Sequence, residues 1–236
     1  MEEQVQRLVN KVWATHKISP PDQRLMIAIS GIPGAGKTTL AKTVTDRLNT
    51  LSQASPLRPL AAYVPMDGYH LTRAQLDALP DPAQAHARRG AAYTFDAASL
   101  LSLVVALREP LGASTRTIYA PSFSHALKDP VENEISISPS TQILIFEGNY
   151  LTLDKEPWSQ ISRLFNERWF LEVGFDIARK RLVARHLAAG IASSEKEAWR
   201  RIEENDMINA LEIVQHRVAI DELIQSLDTA VQEPSH

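Results

Sequence analysis

The chain has 236 residues, 44% of them hydrophobic and 22% charged, with a formal net charge of −3. Such a length and composition suit one α/β domain with a sizeable core, and the mild acidity excludes the broad basic field that draws proteins to nucleic acid or anionic membranes. Without cysteine there are no disulfides, thiolate nucleophiles or cysteine-ligated metals; apolar runs too short to cross a bilayer and the acidic start Met1, Glu2, Glu3 point to an intracellular, cytoplasmic protein.

No repeat or low-complexity block interrupts the chain. Val5, Leu8, Val9, Val12 and Trp13 recur at helical spacing, which predicts an amphipathic helix within residues 1–20. Leu25 to Ser30 is a short apolar run closed by Gly31, the first buried strand, and a helix follows from Lys37 to Leu48. Further strands are expected at Ala61 to Met66, Thr115 to Ala120, Gln142 to Phe146 and Arg168 to Val173. Further helices are expected at Ala97 to Arg108, Ile177 to Ala189, Glu195 to Ala210 and about Ile213 to Ser226. Pro56 to Pro59 and Lys128 to Pro139 read as surface connections. This alternation predicts a single domain over residues 1–236, a three-layer doubly wound α/β fold with a parallel sheet and its ligand crevice at the carboxyl ends of the strands.

Directly after the first strand stands GIPGAGKT, Gly31 to Thr38, which fills every position of the P-loop template. Gly31, Gly34 and Gly36 free the backbone so that the segment Pro33-Gly34-Ala35-Gly36-Lys37-Thr38-Thr39, with every N–H but the one Pro33 lacks, surrounds a phosphate at the positive end of the next helix. Lys37 is placed to bridge the β- and γ-phosphates of ATP, and the Thr38 hydroxyl to hold Mg²⁺. The fold is therefore expected to be that of P-loop NTPases. The same cradle serves kinases, switches and motors, so the rest of the chain must decide the activity.

Two strand ends carry acids. Ile143 to Phe146 runs into Glu147, an arrangement suited to Mg²⁺ or its water shell beside the phosphates. Ala61 to Met66 runs into Asp67, where a carboxylate can accept the proton of an attacking hydroxyl. Tyr69 and His70 follow closely enough to hydrogen-bond to or stack on the acceptor.

These pieces, in this order, resemble the uridine kinase, phosphoribulokinase and bacterial-type pantothenate kinase superfamily. The resemblance runs from about Leu25 to about Ala210 and rests on GIPGAGKTTLA, MDGYH at Met66 to His70, YTFDAASL at Tyr93 to Leu100, PSFSH at Pro121 to His125, FEGNYL at Phe146 to Leu151 and the arginines from Arg179. It implies an ATP- and Mg²⁺-dependent phosphotransferase, with Asp67 as catalytic base, His125 and Tyr119 near the acceptor, and Arg181 and Arg185 on a lid that reaches the phosphates. The segment Arg88 to Tyr93 departs from the uridine kinase pattern, in which an aromatic residue and an aspartate hold the ribose.

Residues 176–210 read as that lid, two helices joined at Gly190 with Ser193 or Ser194 capping the second. Arg181 and Arg185 are four apart and share a face. Asn205, Asp206 and Asn209 have spacings that point inward, toward adenine or acceptor. The sequence thus predicts transfer of a γ-phosphoryl group to the hydroxyl of a small metabolite, a nucleoside first, with pantothenate or a sugar as alternatives. A nucleotide-dependent switch without a small acceptor is the reading from another class.

Overall fold

A computed structural model describes residues 1–53, 55, 58–124 and 126–226, so that Pro56 and His125 lie outside the described residues. Helix α1 (Glu2–Ile18) is followed by β1 (Leu25–Ser30), α2 (Lys37–Ser52) and β2 (Ala61–Pro65). A 3-10 turn, Met66–Tyr69, and the short helices α3 (Arg73–Asp77) and α4 (Pro82–Ala87) lead to α5 (Ala97–Arg108). A hairpin of β3 (Ile118–Ser124) and β4 (Asp129–Ile137) returns the chain to β5 (Ile143–Glu147), α6 (Trp158–Arg163) and β6 (Glu167–Glu172). The last described elements are α7 (Phe175–Ala188), α8 (Glu195–Arg201), a π-helical turn (Ile202–Asp206), α9 (Met207–Gln215) and β7 (Glu222–Gln225).

The sheet has the order β2-β5-β1-β6-β7 and all its pairings are parallel. Two of its three inner strands, β1 and β5, are buried along their whole length, the continuous apolar pattern expected when helices cover both faces. Successive side chains of a strand point to opposite faces. On β5 the Phe146 ring lies 5.1 Å from Phe165, just past α6, while the neighbouring Glu147 meets Thr38 of α2. Helices therefore flank both faces, giving the expected three layers. Register matters most for the site: Glu147 pairs with Ile29 on one side and with Pro65 on the other. Gly31 and Asp67 each lie two residues beyond those partners, so three chains leave the sheet level with one another.

Two stretches depart from the sequence-based expectation. The strand expected at Thr115 to Ala120 forms over Ile118–Ser124, but pairs antiparallel with β4 and stays out of the main sheet. Residues Lys128 to Pro139, expected as a surface connection, supply that partner. Exposed Glu132, Asn133 and Glu134 interrupt the alternation, and Asn133 takes a left-handed φ of 59°, so local pattern hides the strand. The helix expected from Ile213 to Ser226 ends at Gln215 and the chain becomes β7. Arg168 of β6 draws it in through Asp221, donating from Nε at 3.0 Å, and Ile224 is fully buried at the sheet edge. Strand pairing there overrides a helical spacing of apolar residues.

Candidate active site

The glycine loop fills the space between β1 and α7. A Cβ on Gly31 would lie 2.5 Å from the Leu171 carbonyl oxygen, and one on Gly34, whose φ is +81°, would lie 2.8 Å from that of Ala178. Side chains at either place would force the loop off its supports. Pro33 and Ala35 are buried beneath the loop, and Gly36 caps α2 in a left-handed conformation. Thr38 and Thr39 in the first turn of α2 are exposed toward the crevice end. Lys37 is only 6% exposed; its Nζ donates to Ile32 O at 3.0 Å and to Asn149 Oδ1 at 2.7 Å. Burial lowers its proton affinity, Glu147 and Asp67 oppose that shift, and Arg185 adds to it.

Glu147 is 7% exposed and accepts from Thr38 Oγ1 at 3.1 Å and from Tyr63 OH at 2.9 Å, both on Oε2. Burial raises its pKa above the ordinary glutamate value, while Lys37 pulls the other way. The same burial, reinforced by Glu147, raises the Tyr63 phenol. Thr38 and Glu147 thus face one another as hard oxygen donors. Asp67 emerges in the 3-10 turn after β2 with its side chain 44% exposed. Its charge is felt by Lys37, Glu147 and Tyr63, which sets it on the glycine-loop side of the sheet end.

The turn carrying Asp67 is wedged against the hairpin. His70 Nε2 stands 3.8 Å from Asp67 Oδ1, and the His70 ring stacks on Phe95 at 4.0 Å and tilts toward Phe123 at 5.0 Å. Tyr69, His70 and Tyr119, three of the residues expected near an acceptor, line one cavity of about 620 Å³ between this turn, α5 and the hairpin. Such a volume is of small-molecule size. Gly68 contributes to its wall, whereas Asp67, the residue before it, is not among the lining residues. His125, the fourth residue of that group, is outside the described residues.

On the lid, the turn at Gly190 and the Ser194 cap form as expected, Ser194 Oγ accepting from Glu197 N at 3.3 Å. Arg181 Nη1 reaches Gly34 O at 3.2 Å, Ala35 O at 3.4 Å and Ser226 Oγ at 2.9 Å, so this guanidinium braces the glycine loop. Arg185 is exposed and makes no hydrogen bond among the described residues, yet its charge acts on Lys37. Asn205, Asp206 and Asn209 do not face the crevice as spacing suggested. Asn205 Nδ2 donates to Arg89 O at 3.0 Å, Asn209 Oδ1 accepts from Arg88 Nη2 at 2.7 Å, and Asp206 meets the buried His186 at 3.1 Å. Asn205 and Asn209 bind the lid to Arg88 and Arg89, and Asp206 ties the π-turn to α7, because the π-turn shifts the register of those side chains.

Sequence reasoning missed Asn149 and Tyr63. Asn149 follows Glu147 by two residues within FEGNYL, a usable signal; Tyr63 looks like any aromatic residue of a half-buried strand.

A parallel sheet flanked by helices, with a complete glycine cradle at the end of its central strand, defines a P-loop kinase fold. The pattern of the Phosphoribulokinase / Uridine kinase family matches residues 26–190, and the chain belongs to that family. The ATP-dependent kinase-like protein notR′ of Aspergillus versicolor is 50% identical over 159 residues, covering 67% of this chain and 92% of its own. A Schizosaccharomyces pombe protein, C227.14, named as a candidate uridine kinase, is 40% identical over 205 residues, covering 87% and 84%. The crystal structure of YFH7 from Saccharomyces cerevisiae superposes with a TM-score of 0.81 at 22% identity, covering 94% of this chain and 98% of that one, a likeness of fold. The protein is a kinase, and its family uses ATP and a small substrate.

Proposed function

We propose that the protein transfers the γ-phosphoryl group of ATP to a hydroxyl of a small acceptor of nucleoside or sugar type, bound between the Asp67 turn and the hairpin. The observation that carries this reading is the shared register of Ile29, Glu147 and Pro65, after which the glycine loop and the Asp67 turn leave the same carboxyl end of the sheet. Strands are about 4.8 Å apart, so loop and Asp67 are separated by roughly 10 Å, room for a phosphoryl group and an alcohol between them.

In this reading the backbone N–H groups between Gly31 and Thr39, other than at Pro33, and the ammonium of Lys37 hold the triphosphate. Asp67 orients the acceptor hydroxyl and takes its proton, while Tyr69, His70, Tyr119 and His125 contact the acceptor. Arg185 approaches the transferring group as the lid closes and excludes water, and Arg181 keeps the loop that receives it in shape. The pair Thr38 and Glu147 suits Mg²⁺, which takes hard oxygen ligands and needs only one or two from protein when phosphates supply the rest. When bound there, the ion would neutralise charge on the phosphate oxygens.

The test is acceptor-stimulated ADP release across nucleosides, sugars and vitamins, repeated with Asp67→Asn. Loss of a general base predicts a fall in kcat of roughly 10²–10⁴-fold with ATP affinity unchanged. Near-normal turnover by the variant would remove Asp67 from the mechanism, and hydrolysis stimulated only by a protein partner would favour the switch reading.

A further inference from the structure

The cavity beside the Asp67 turn has a chemical character that the family alone does not specify. Tyr69 is 6% exposed and lines it, yet its hydroxyl makes no hydrogen bond among the described residues. The ring is buried while the hydroxyl stays open to the cavity, where it can pair with an occupant. Burial raises the Tyr69 pKa, and two carboxylates that line the same cavity, Glu132 and Asp96, add to the shift. No lysine or arginine lines the cavity among the described residues. Two guanidinium groups of neighbouring segments are already engaged: Arg73 Nε with Asp129 at 3.0 Å, Arg89 Nη2 with Asp129 at 3.1 Å, and Arg89 Nη1 with Lys128 O at 2.6 Å.

Within a family whose acceptors differ in charge, such a lining discriminates. Asp96 spends its oxygens on Ser99, accepting from its N at 2.9 Å and its Oγ at 2.7 Å, but keeps its negative charge. Glu132 is exposed and accepts no hydrogen bond among the described residues, so it is available to hydroxyl or ammonium donors. A carboxylate or phosphate ester brought here would meet two like charges and, among the described lining residues, no lysine or arginine to offset them. Hydroxyl groups can instead donate to Glu132 and pair with Tyr69, and an ammonium group gains from both acids.

We propose that the acceptor is a non-anionic polyol, with an amino-substituted one bound at least as well as a neutral one, and that Tyr69 and Glu132 set this preference. The proposal rests on the kinase reading for turnover, but its binding arm is independent of it. The experiment uses charge-matched sets on one scaffold: glucosamine, glucose and glucuronate, and uridine against its 5′-phosphate. Both kcat/KM and direct binding by saturation-transfer NMR are measured with a non-hydrolysable ATP analogue or ATP as appropriate. We expect each anionic member to fall at least about tenfold below its neutral partner. Glu132→Lys should narrow or invert that ratio, and Tyr69→Phe should raise KM with little change in kcat. Anionic members bound or phosphorylated as well as neutral ones would overturn the proposal, as would failure of every member to bind. Preference for the non-anionic members in binding, without phosphorylation of any, would uphold the cavity's selectivity and count against the kinase reading instead.

Discussion

Gly68→Ala tests whether the position of Asp67 is set by how tightly its turn packs on the hairpin. A Cβ at residue 68 would stand 2.2 Å from the carbonyl oxygen of Pro121 and 2.6 Å from its carbon, both backbone atoms of β3. Ordinary contact begins at 3.4 Å, so turn and strand must separate by about 1.2 Å. Neither side has slack, since Met66 is 1% exposed and Ala120 is fully buried. Overpacking of this kind costs about 1–3 kcal/mol, and at about 2–4 °C per kcal/mol for a chain of this size the melting temperature should fall by roughly 2–12 °C. An ångström of misplacement near reacting groups costs on the order of 100-fold in rate, about 2.7 kcal/mol in the barrier. ATP affinity should hold, because the cradle is built from β1 and α2. Steady-state ADP release gives kcat, calorimetry gives nucleotide affinity and thermal unfolding gives stability. A variant with wild-type kcat and melting temperature would refute the claim that this contact fixes the base.

Burial raises the Glu147 pKa, so the folded protein holds that proton more tightly than the unfolded chain, and stability is present below the ordinary glutamate value and lost as pH rises through the raised one. Glu147→Gln should therefore match wild type near pH 4 and melt higher at pH 8, while Mg²⁺-dependent ATP affinity falls roughly 10–100-fold; an equal or lower melting temperature at pH 8 would contradict the sign. Arg185→Ala should reduce kcat by at least about tenfold with no change in melting temperature, because the side chain is exposed and unbonded among the described residues. Arg181→Ala, which removes the brace on Gly34 and Ala35, should lower both melting temperature and ATP affinity, and equal behaviour of the two variants would erase the distinction drawn between them.

The elements that sequence reading located share a physical property: their signal is local. Leu25 to Ser30 and Ile143 to Phe146 are apolar runs because both faces of the sheet are covered, and α5 ends at Ala97 and Arg108 as read, because Asp96 caps it. What escaped depends on partners far along the chain. β4 exists because β3 pairs with it, and β7 because Arg168 fixes Asp221. The same division runs through the site. Lys37, Thr38, Glu147 and Asp67 follow from strand ends and a loop template; Asn149 carries a signal only through its place after Glu147, and Tyr63 is recognisable only once β2 pairs with β5 and brings it to Glu147. The inward turn of Asn205 and Asn209 was right in direction and wrong in target, since a π-turn shifts helical register in a way that spacing alone does not encode.

That target gives residues 88–90 a structural weight that their sequence hides. Arg88 holds Asn209 and, at 2.8 Å, the Glu204 carbonyl of the lid; Arg89 holds Asp129 of the hairpin; and the Gly90 carbonyl accepts from Tyr150 OH at 2.7 Å, just beyond β5. Asn205 and Asn209 are almost fully buried, so their amides are expensive to leave unpaired and the junction resists opening piecemeal. The lid is thus tied at one end to the 88–90 segment, which also holds the hairpin, and at the other, through Arg181, to the glycine loop. Any displacement of α7 to α9 that brings Arg185 toward the phosphates must carry the 88–90 segment along or break those bonds. Thermodynamic reciprocity then requires that an acceptor which favours the closed arrangement also tighten the nucleotide, and by the same factor.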